Sequence, residues 1–351
     1  MSHLDATYGV EIECYLPDGT TQQQCAAAVS QRLGALSTCQ VEAYNHQPRP
    51  FWKIVPDGSL NDYSRGIELV SPSTAQTLLR GEDGLRQIEI VCRALTDLGC
   101  TVSRKCGLHV HVGVESQPIG FFKNLVKLYA IYEPVIDSIM PRSRRANLNV
   151  YCRSMTVANP ARVDAATTFD QVCAAATGSS GRFGGGDRFY KLNLTAFRRH
   201  RTVEFRQHSG TLDATKAVNW TVTCLRMVAA AKKGGLNLGA APAQNQARPG
   251  SKAHRIGEML LRPEGVTGRE ICTEMNWPSV SIPAQARAAG LTVTSQRTGR
   301  EVRYFAVVTQ ATTAAPITMA GFAQVIESTA DETAYLNQRA ADLSGSVQWA
   351  A

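Results

Sequence analysis

Apolar and polar positions alternate with a period of two in three short stretches, and each stretch sets reactive side chains opposite an apolar face. They are Tyr8–Glu13 (Tyr-Gly-Val-Glu-Ile-Glu), Leu108–Gly113 (Leu-His-Val-His-Val-Gly) and Thr202–His208 (Thr-Val-Glu-Phe-Arg-Gln-His). Successive side chains of a strand point to opposite faces. Glu11 and Glu13 therefore share a face, as do His109 and His111, and as do Glu204, Arg206 and His208. Val10, Ile12, Leu108, Val110, Val112, Val203 and Phe205 fall on the other face, toward a core. A half-exposed antiparallel strand alternates in the same way, but an ordinary solvated face mixes Lys, Thr, Ser and Glu. Here the polar positions are mostly ligand types, and the coincidence of three such stretches favours one metal- and phosphate-handling surface.

A period near 3.6 marks the helices. Asp83–Leu98 places Leu85, Ile88, Val91, Cys92 and Leu95 on one face, and Phe121–Ile139 does the same with Leu125, Leu128, Tyr129, Tyr132 and Ile136. Pro134 predicts a kink in the second, and Pro141 lies just beyond its end. Asp213 is placed to N-cap a third helix ending at Lys232 and Lys233, where basic residues suit the helix dipole. Residues 236–250 lack periodicity and read as a linker between a main domain, residues 1–235, and a second one, residues 251–308. In the second, Lys252–Leu261 reads as a helix. Thr267 and Glu270 form a capping box that opens another, and Ser279–Ala289 is a third, limited by Pro283. Strands at Leu291–Thr294 and Val302–Val307, joined by a turn near Thr298 and Gly299, complete the order of a winged helix. Residues 309–351 read as a tail with one helix, Phe322–Leu343.

The 351 residues, 44% hydrophobic and 19% charged, suit a folded globular protein. A formal charge of +8 and a pI near 9.0 favour anionic partners, whether nucleotides, nucleic acid or acidic peptides. The ten cysteines form no Cys-x-x-Cys pair and several sit in apolar runs. The start, Met1–Asp5, lacks the basic and apolar regions of a signal peptide, and no stretch approaches a membrane span. The expectation is a reduced, cytoplasmic protein without membrane association.

Further features belong with the alternating stretches. Asp57 opens an Asp-Gly-Ser-Leu turn and reads either as a base or as a turn residue whose carboxylate bonds nearby amides. Glu68, inside Gly-Ile-Glu-Leu-Val-Ser-Pro, reads either as a ligand or as a paired strand carboxylate. Residues 179–188 form a glycine-rich basic loop ending in Arg188, with Lys191 just after it. Backbone N–H groups of such a loop can approach phosphate, but the run is neither a Walker A nor a dinucleotide motif, and a plain flexible loop fits equally. Asn219 opens the helix behind the third stretch, and with Glu68 it is a candidate for substrate contact.

In order, Gly-Val-Glu-Ile-Glu, Asp-Gly-Ser-Leu, Gly-Ile-Glu-Leu-Val-Ser-Pro, Cys-Gly-Leu-His-Val-His-Val-Gly and Thr-Val-Glu-Phe-Arg-Gln-His-Ser-Gly-Thr-Leu-Asp resemble the amidoligases. That family belongs to the carboxylate–amine ligase superfamily, with glutamine synthetase and glutamate–cysteine ligase. The resemblance spans roughly residues 8 to 233. It implies an α+β fold whose antiparallel sheet curves into a partial barrel, with ATP at one mouth and the acceptor at the other. It also implies magnesium or manganese and an acyl-phosphate intermediate. Glu11, Glu13 and Glu204 match the family's metal carboxylates, and His109 matches its metal-binding histidine. His111 matches the histidine nearer the ATP phosphates, a region to which Arg188 and Lys191 are also assigned. Arg206 matches the arginine facing the transferred phosphoryl group. Asp57 is similar to the loop acid that handles the incoming amine in glutamine synthetases, although there the loop precedes the Glu-x-Glu strand and here it follows.

The chemistry points the same way. A carboxylate is a poor electrophile and needs activation before an amine attacks it. ATP and a substrate carboxylate repel each other, and cations on hard oxygen ligands screen that repulsion. The expected activity is an ATP- and magnesium-dependent ligase joining a carboxylate to an amine on a small or peptide substrate. Two rivals stand beside it. His109, His111 and Glu115 also suit a cupin-like hydrolase or oxygenase with zinc or iron, which leaves Glu-x-Glu and Glu-x-Arg unexplained. A nucleic-acid-binding regulator would use Arg287, Arg297, Arg300 and Arg303 on phosphates. Glu258, Glu264, Glu270, Glu274 and Glu301 dilute that charge, and a protein-docking or substrate-presenting role for the second domain is the alternative.

Overall fold

The computed structural model describes residues 3–60, 62, 64–155, 158–178, 187–234, 251–262, 264–288, 291–299, 301–307 and 318–345. The expected linker over 236–250, the glycine-rich run 179–186, Arg300, the side chain of Arg287 and residues 309–317 lie outside the described residues.

Along the chain run β1 (Tyr8–Tyr15), α1 (Gln22–Leu33), β2 (Cys39–Val41), β3 (Trp52–Pro56), β4 (Gly66–Val70), α2 (Gly81–Asp97), β5 (Gly107–Gly113), α3 (Ile119–Ser138), α4 (Pro160–Ala165), α5 (Phe169–Thr177), β6 (Leu192–Asn193), α6 (Ala196–His200), β7 (Thr202–Ser209) and α7 (Ala214–Lys233). Then come α8 (Lys252–Leu260), β8 (Val266–Thr267), α9 (Gly268–Met275), α10 (Ile282–Ala288), β9 (Thr292–Thr298), β10 (Glu301–Val307), α11 (Met319–Val325) and α12 (Ala330–Gly345). They form two units, Met1–Leu236 with Ile317–Ala351, and Asn237–Pro316. No helix among the described residues is long and apolar enough to cross a membrane.

The first unit is α+β. Its seven-stranded sheet has the order β2-β3-β4-β1-β5-β7-β6. Every pair is antiparallel except β2–β3, which is parallel, so the sheet is mixed rather than purely antiparallel, and it does not close into a barrel. Its alternating strands turn Val10, Ile12, Leu108, Val110, Val112, Val203 and Phe205 inward, all buried. Helices cover that face: Tyr129 of α3 packs its ring near Phe205, and Trp220 of α7 lies against His208. The Asp213 carboxylate accepts the Lys216 N–H and starts α7 as its N-cap. Pro134 does not end α3, which continues to Ser138.

One irregularity decides the site. On the β5–β7 pair, Leu108 faces His208 but Val110 faces Phe205, so Arg206 and Gln207 together oppose His109. This bulge interrupts the alternation of β7. Glu204 and Arg206 stay on one face, whereas His208 is turned to the helix face.

The predicted single helix over 322–343 is two. Glu327 sits at φ 53 after α11, and Thr329 and Glu332 exchange capping bonds at the start of α12. The helical period continues across this break, which is why periodicity alone misses it. Phe322 packs on Tyr132 of α3, and Glu327 and Glu332 pair with Lys233 and Arg226 of α7.

In the second unit three helices pack on a three-stranded sheet of order β8-β10-β9. Ile256, Met259, Leu260, Val266, Ile271 and Ile282 form its core. The capping box of Thr267 and Glu270 is present.

Candidate active site

Strand register brings the reactive residues into one row. Glu13 faces Glu68 across β1–β4, and Glu11 faces His109 across β1–β5. His111 faces Glu204 across β5–β7, and Glu204 faces Asn193 across β7–β6. Side chains directly opposite one another lie about 5 Å apart at Cβ, so the row is contiguous. His109 Nδ1 lies 3.0 Å from Glu11 Oε2, and His109 Nε2 lies 3.7 Å from Glu13 Oε1. His111 Nε2 lies 3.4 Å from Glu11 Oε1 and 3.8 Å from Glu204 Oε1. Thr202 Oγ1, 3.0 Å from His111 Nδ1, fixes that ring from behind. Arg206 donates from Nη1 to Glu204 and from Nε to the Tyr151 carbonyl. Asn193 donates to the other Glu204 oxygen at 2.5 Å.

Negative charge is in excess. Burial works to raise Glu11, but the charge of His111 and the hydrogen bond with His109 outweigh it and hold that carboxyl well below the usual range. Burial likewise opposes ionisation of Glu204, and Arg206 and His111 overcome it. Burial opposes charge on His111 too, yet Glu204 and Glu11 raise it above its ordinary value. Burial, then Glu11, Glu13 and Asp57, push Glu68 well above the carboxylate range, and Arg206 offsets them only in part.

This pattern fits a bound cation. His111 Nε2 is buried and makes no hydrogen bond. Two donor sets, Glu11/His111/Glu204 and Glu11/Glu68/His109, each hold their ligand atoms within 4.8 Å of one another. Carboxylate-rich sets suit magnesium or manganese, and the imidazoles lean toward manganese or zinc. Glu13 accepts the Gly107 N–H at Oε2, 2.6 Å away, and turns Oε1 toward His109 Nε2 at 3.7 Å.

The row floors a cavity of about 1190 Å³. Asp57 lines it, with both oxygens taken by Ser59, from its N–H and its hydroxyl, each at 2.8 Å. Arg188 lines it with its guanidinium over the Phe189 ring. Lys191 does not: it is fully buried on the helix side, with Nζ 2.7 Å from Glu133 and 2.6 Å from Asp137. It precedes the two-residue strand β6, beside the bulge, where its carbonyl accepts the Arg206 N–H. Asn219 lies on α7 behind the sheet and is not a lining residue. His208 packs against Trp220, and burial lowers it to about 4.

Several lining residues escaped sequence reasoning. Thr202 and Asn193 sit in or beside strands already singled out, so alternation offered a signal for them. Arg144, Lys53, Arg199, His200 and Arg201 belong to no alternating pattern and reach the cavity through loops and other elements. They divide it: Lys53, His46, Arg199, His200 and Arg201 gather toward the His111 end, and Arg144 stands at the Glu13 end. Burial, with Arg199 nearby, lowers His46, and burial with His111 lowers His200.

A family model described as "Putative amidoligase enzyme" matches residues 4–228. Among solved structures the chain is similar to a bifunctional glutathione synthetase from Pasteurella multocida, at 13% identity over 87% of this chain, with a TM-score of 0.31. The chain spans 59% of the length of that protein, and at this score the likeness carries no argument. No curated protein matches the chain.

Proposed function

This chain belongs to the amidoligase family, enzymes that form C–N bonds, and from that premise we propose that its cavity houses an ATP- and divalent-metal-dependent carboxylate–amine ligase working through an acyl phosphate. The observation that carries the reading is the pair of carboxylate–imidazole sets sharing Glu11, with Arg206 bound to the Glu204 of one set.

Magnesium or manganese would be held by Glu11, Glu204 and Glu68 with His109 and His111, and would supply the positive charge that lets ATP and a carboxylate approach. The protein's own groups do the rest. Arg199 and Arg201 give the His111 end the charge to receive a polyphosphate. Arg206, a planar fork steadied by Glu204 and the Tyr151 carbonyl, is preorganised for charge on the transferred phosphoryl group. A substrate carboxylate oxygen bonds to the γ-phosphorus as the bond to ADP breaks. An amine nitrogen then bonds to the acyl carbon, and phosphate leaves with the former carboxylate oxygen. The amine proton passes to a base, for which Asp57 lines the cavity. The sheet is read as a relative of the partial barrel of glutamine synthetase-like ligases, working in the cytoplasm where ATP is at hand.

The second unit is read as winged-helix-like from its order of helices and strands. Arg303 is paired with Glu270 and Glu301, and Arg255 with Glu274. Charge that a nucleic-acid backbone would need is thus compensated internally, and the unit suits protein docking or substrate presentation better.

The test is phosphate release from ATP and magnesium with a panel of amino acids and peptides. Release that requires both an acid and an amine is expected. ATP-independent hydrolysis or oxygenation by protein that retains zinc or iron would overturn the reading.

A further inference from the structure

Two cations are buried in the cavity wall, and they differ in one respect. Lys53 is 3% exposed, and its Nζ donates at 3.1 Å to each of three oxygens, the Asn45 carbonyl, Asn45 Oδ1 and the Gln47 carbonyl. An ammonium has three protons, so this one is saturated. Arg144 is also 3% exposed. Its Nη2 donates to the carbonyls of Lys105 and Cys106, while its Nε is buried without a hydrogen-bond partner. Among the described residues it pairs with no carboxylate. Its remaining contact is with the Cys152 thiol, and a buried guanidinium without a counter-charge is costly unless an anion lies close by.

Its position says which anion. A Cβ placed on Gly107 would lie 2.7 Å from His109 Nε2 and 3.5 Å from Arg144 Nη2. The guanidinium therefore borders the Glu13 end of the carboxylate–imidazole row, away from the cationic end suited to polyphosphate. One cation matches one negative charge, which a single carboxylate beside the guanidinium supplies. The chain leaving Arg144 supplies the surroundings. Leu148, Val150 and Tyr151 line the cavity yet are 63%, 63% and 53% exposed. Asn147 accepts the Ser154 N–H and Asp137 accepts the Ala146 N–H, so this segment is pinned in place.

We propose that Arg144 anchors the carboxylate of the acid substrate and that Leu148, Val150 and Tyr151 receive an apolar body beside it, so that the acid is of the class of an apolar peptide C-terminus. This deepens the ligase reading and rests on it for the acid's role. The experiment is isothermal titration of the full chain with N-acetyl-Leu-Leu, its C-terminal amide, and magnesium–ADP. The acid is expected to bind at least tenfold more tightly than the amide. Arg144→Gln should erase that preference and change magnesium–ADP affinity less than twofold. Leu148→Ser with Val150→Ser, on exposed positions, should weaken acid and amide together. Equal binding of acid and amide by the native chain would overturn the proposal. So would an Arg144→Gln variant that loses magnesium–ADP instead, which would make this a nucleotide-phosphate subsite. If Arg144→Gln does not fold, the native comparison and the Leu148/Val150 pair decide. Failure of the native chain to bind magnesium–ADP would count against the ligase reading alone, because the acid preference is read separately.

Discussion

On the helix side of the seven-stranded sheet, Lys191 lies between Glu133 and Asp137. Glu133 also accepts the Met155 N–H, and Gln207 bridges Asp137 and the Tyr129 hydroxyl. On the cavity side, Glu11, Glu13, Glu68 and Glu204 crowd against one arginine and two imidazoles, with His111 Nε2 near two carboxylates but making no hydrogen bond. Both faces bury ionisable groups, at similar depth and a few residues apart. The first network closes on itself, as a charge kept for architecture must. The second is completed only by something that enters. Burial of charge alone therefore does not mark a functional site; incompleteness toward a cavity does.

The largest effect should come from the incomplete face. Glu13→Ala and Glu204→Ala are each expected to lower magnesium-dependent ATP turnover by about 10³-fold or more, with the circular dichroism of the native fold. Near-native turnover in both would end the contrast between the faces. Arg206→Lys should cost roughly 3–4 kcal/mol of barrier, seen in kcat, because an ammonium cannot reproduce the guanidinium fork.

The closed face should respond in stability instead. Lys191→Met strands the buried Glu133 carboxyl and the half-buried Asp137 and should lower unfolding free energy by about 3–5 kcal/mol in urea titrations, while magnesium–ADP affinity stays within twofold. Lost nucleotide binding at unchanged stability would move Lys191 into the site and break the comparison.

The smallest effect is a pH dependence. His208 is lowered to about 4 in the fold, against about 6.5 when unfolded. Between those values the unfolded chain binds the extra proton, so His208 favours the fold fully above the upper value and progressively less as pH falls to the lower. The loss should reach roughly 2–3 kcal/mol near pH 4.5. Urea midpoints of His208→Gln should lack that part of the native chain's acid sensitivity. Identical acid profiles would show that His208 is not buried neutral.

The site was legible in the sequence wherever alternation held. Glu11, Glu13, His109, His111, Glu204 and Arg206 share one face because strands β1, β5 and β7 keep their period up to Arg206. It failed one step later: the extra residue of the bulge, Arg206 with Gln207 against His109, sends His208 beneath the sheet. No local pattern announces it, since a bulge is set by pairing with β5. Lys191 was misplaced for a related reason, lying just outside β6 where alternation gives no direction. The caps of α7 and α9 were readable because Asp213, and Thr267 with Glu270, act within one turn. The same signal stood at Thr329 and Glu332, where the helical period running across Glu327 hid it.

Sequence by itself determined what depends on neighbours a few residues apart: which side chains share a strand face, where helices begin, and which residue types are offered to a ligand. Only the tertiary structure decided the strand order that sets β4, β1, β5 and β7 side by side, and with it the meeting of Glu68, Glu11, His109 and Glu204. It alone brought Arg144 to the end of that row. Such contacts join residues tens to more than a hundred positions apart, and they form because burying the apolar faces of strands and helices together outweighs the entropy of closing those loops.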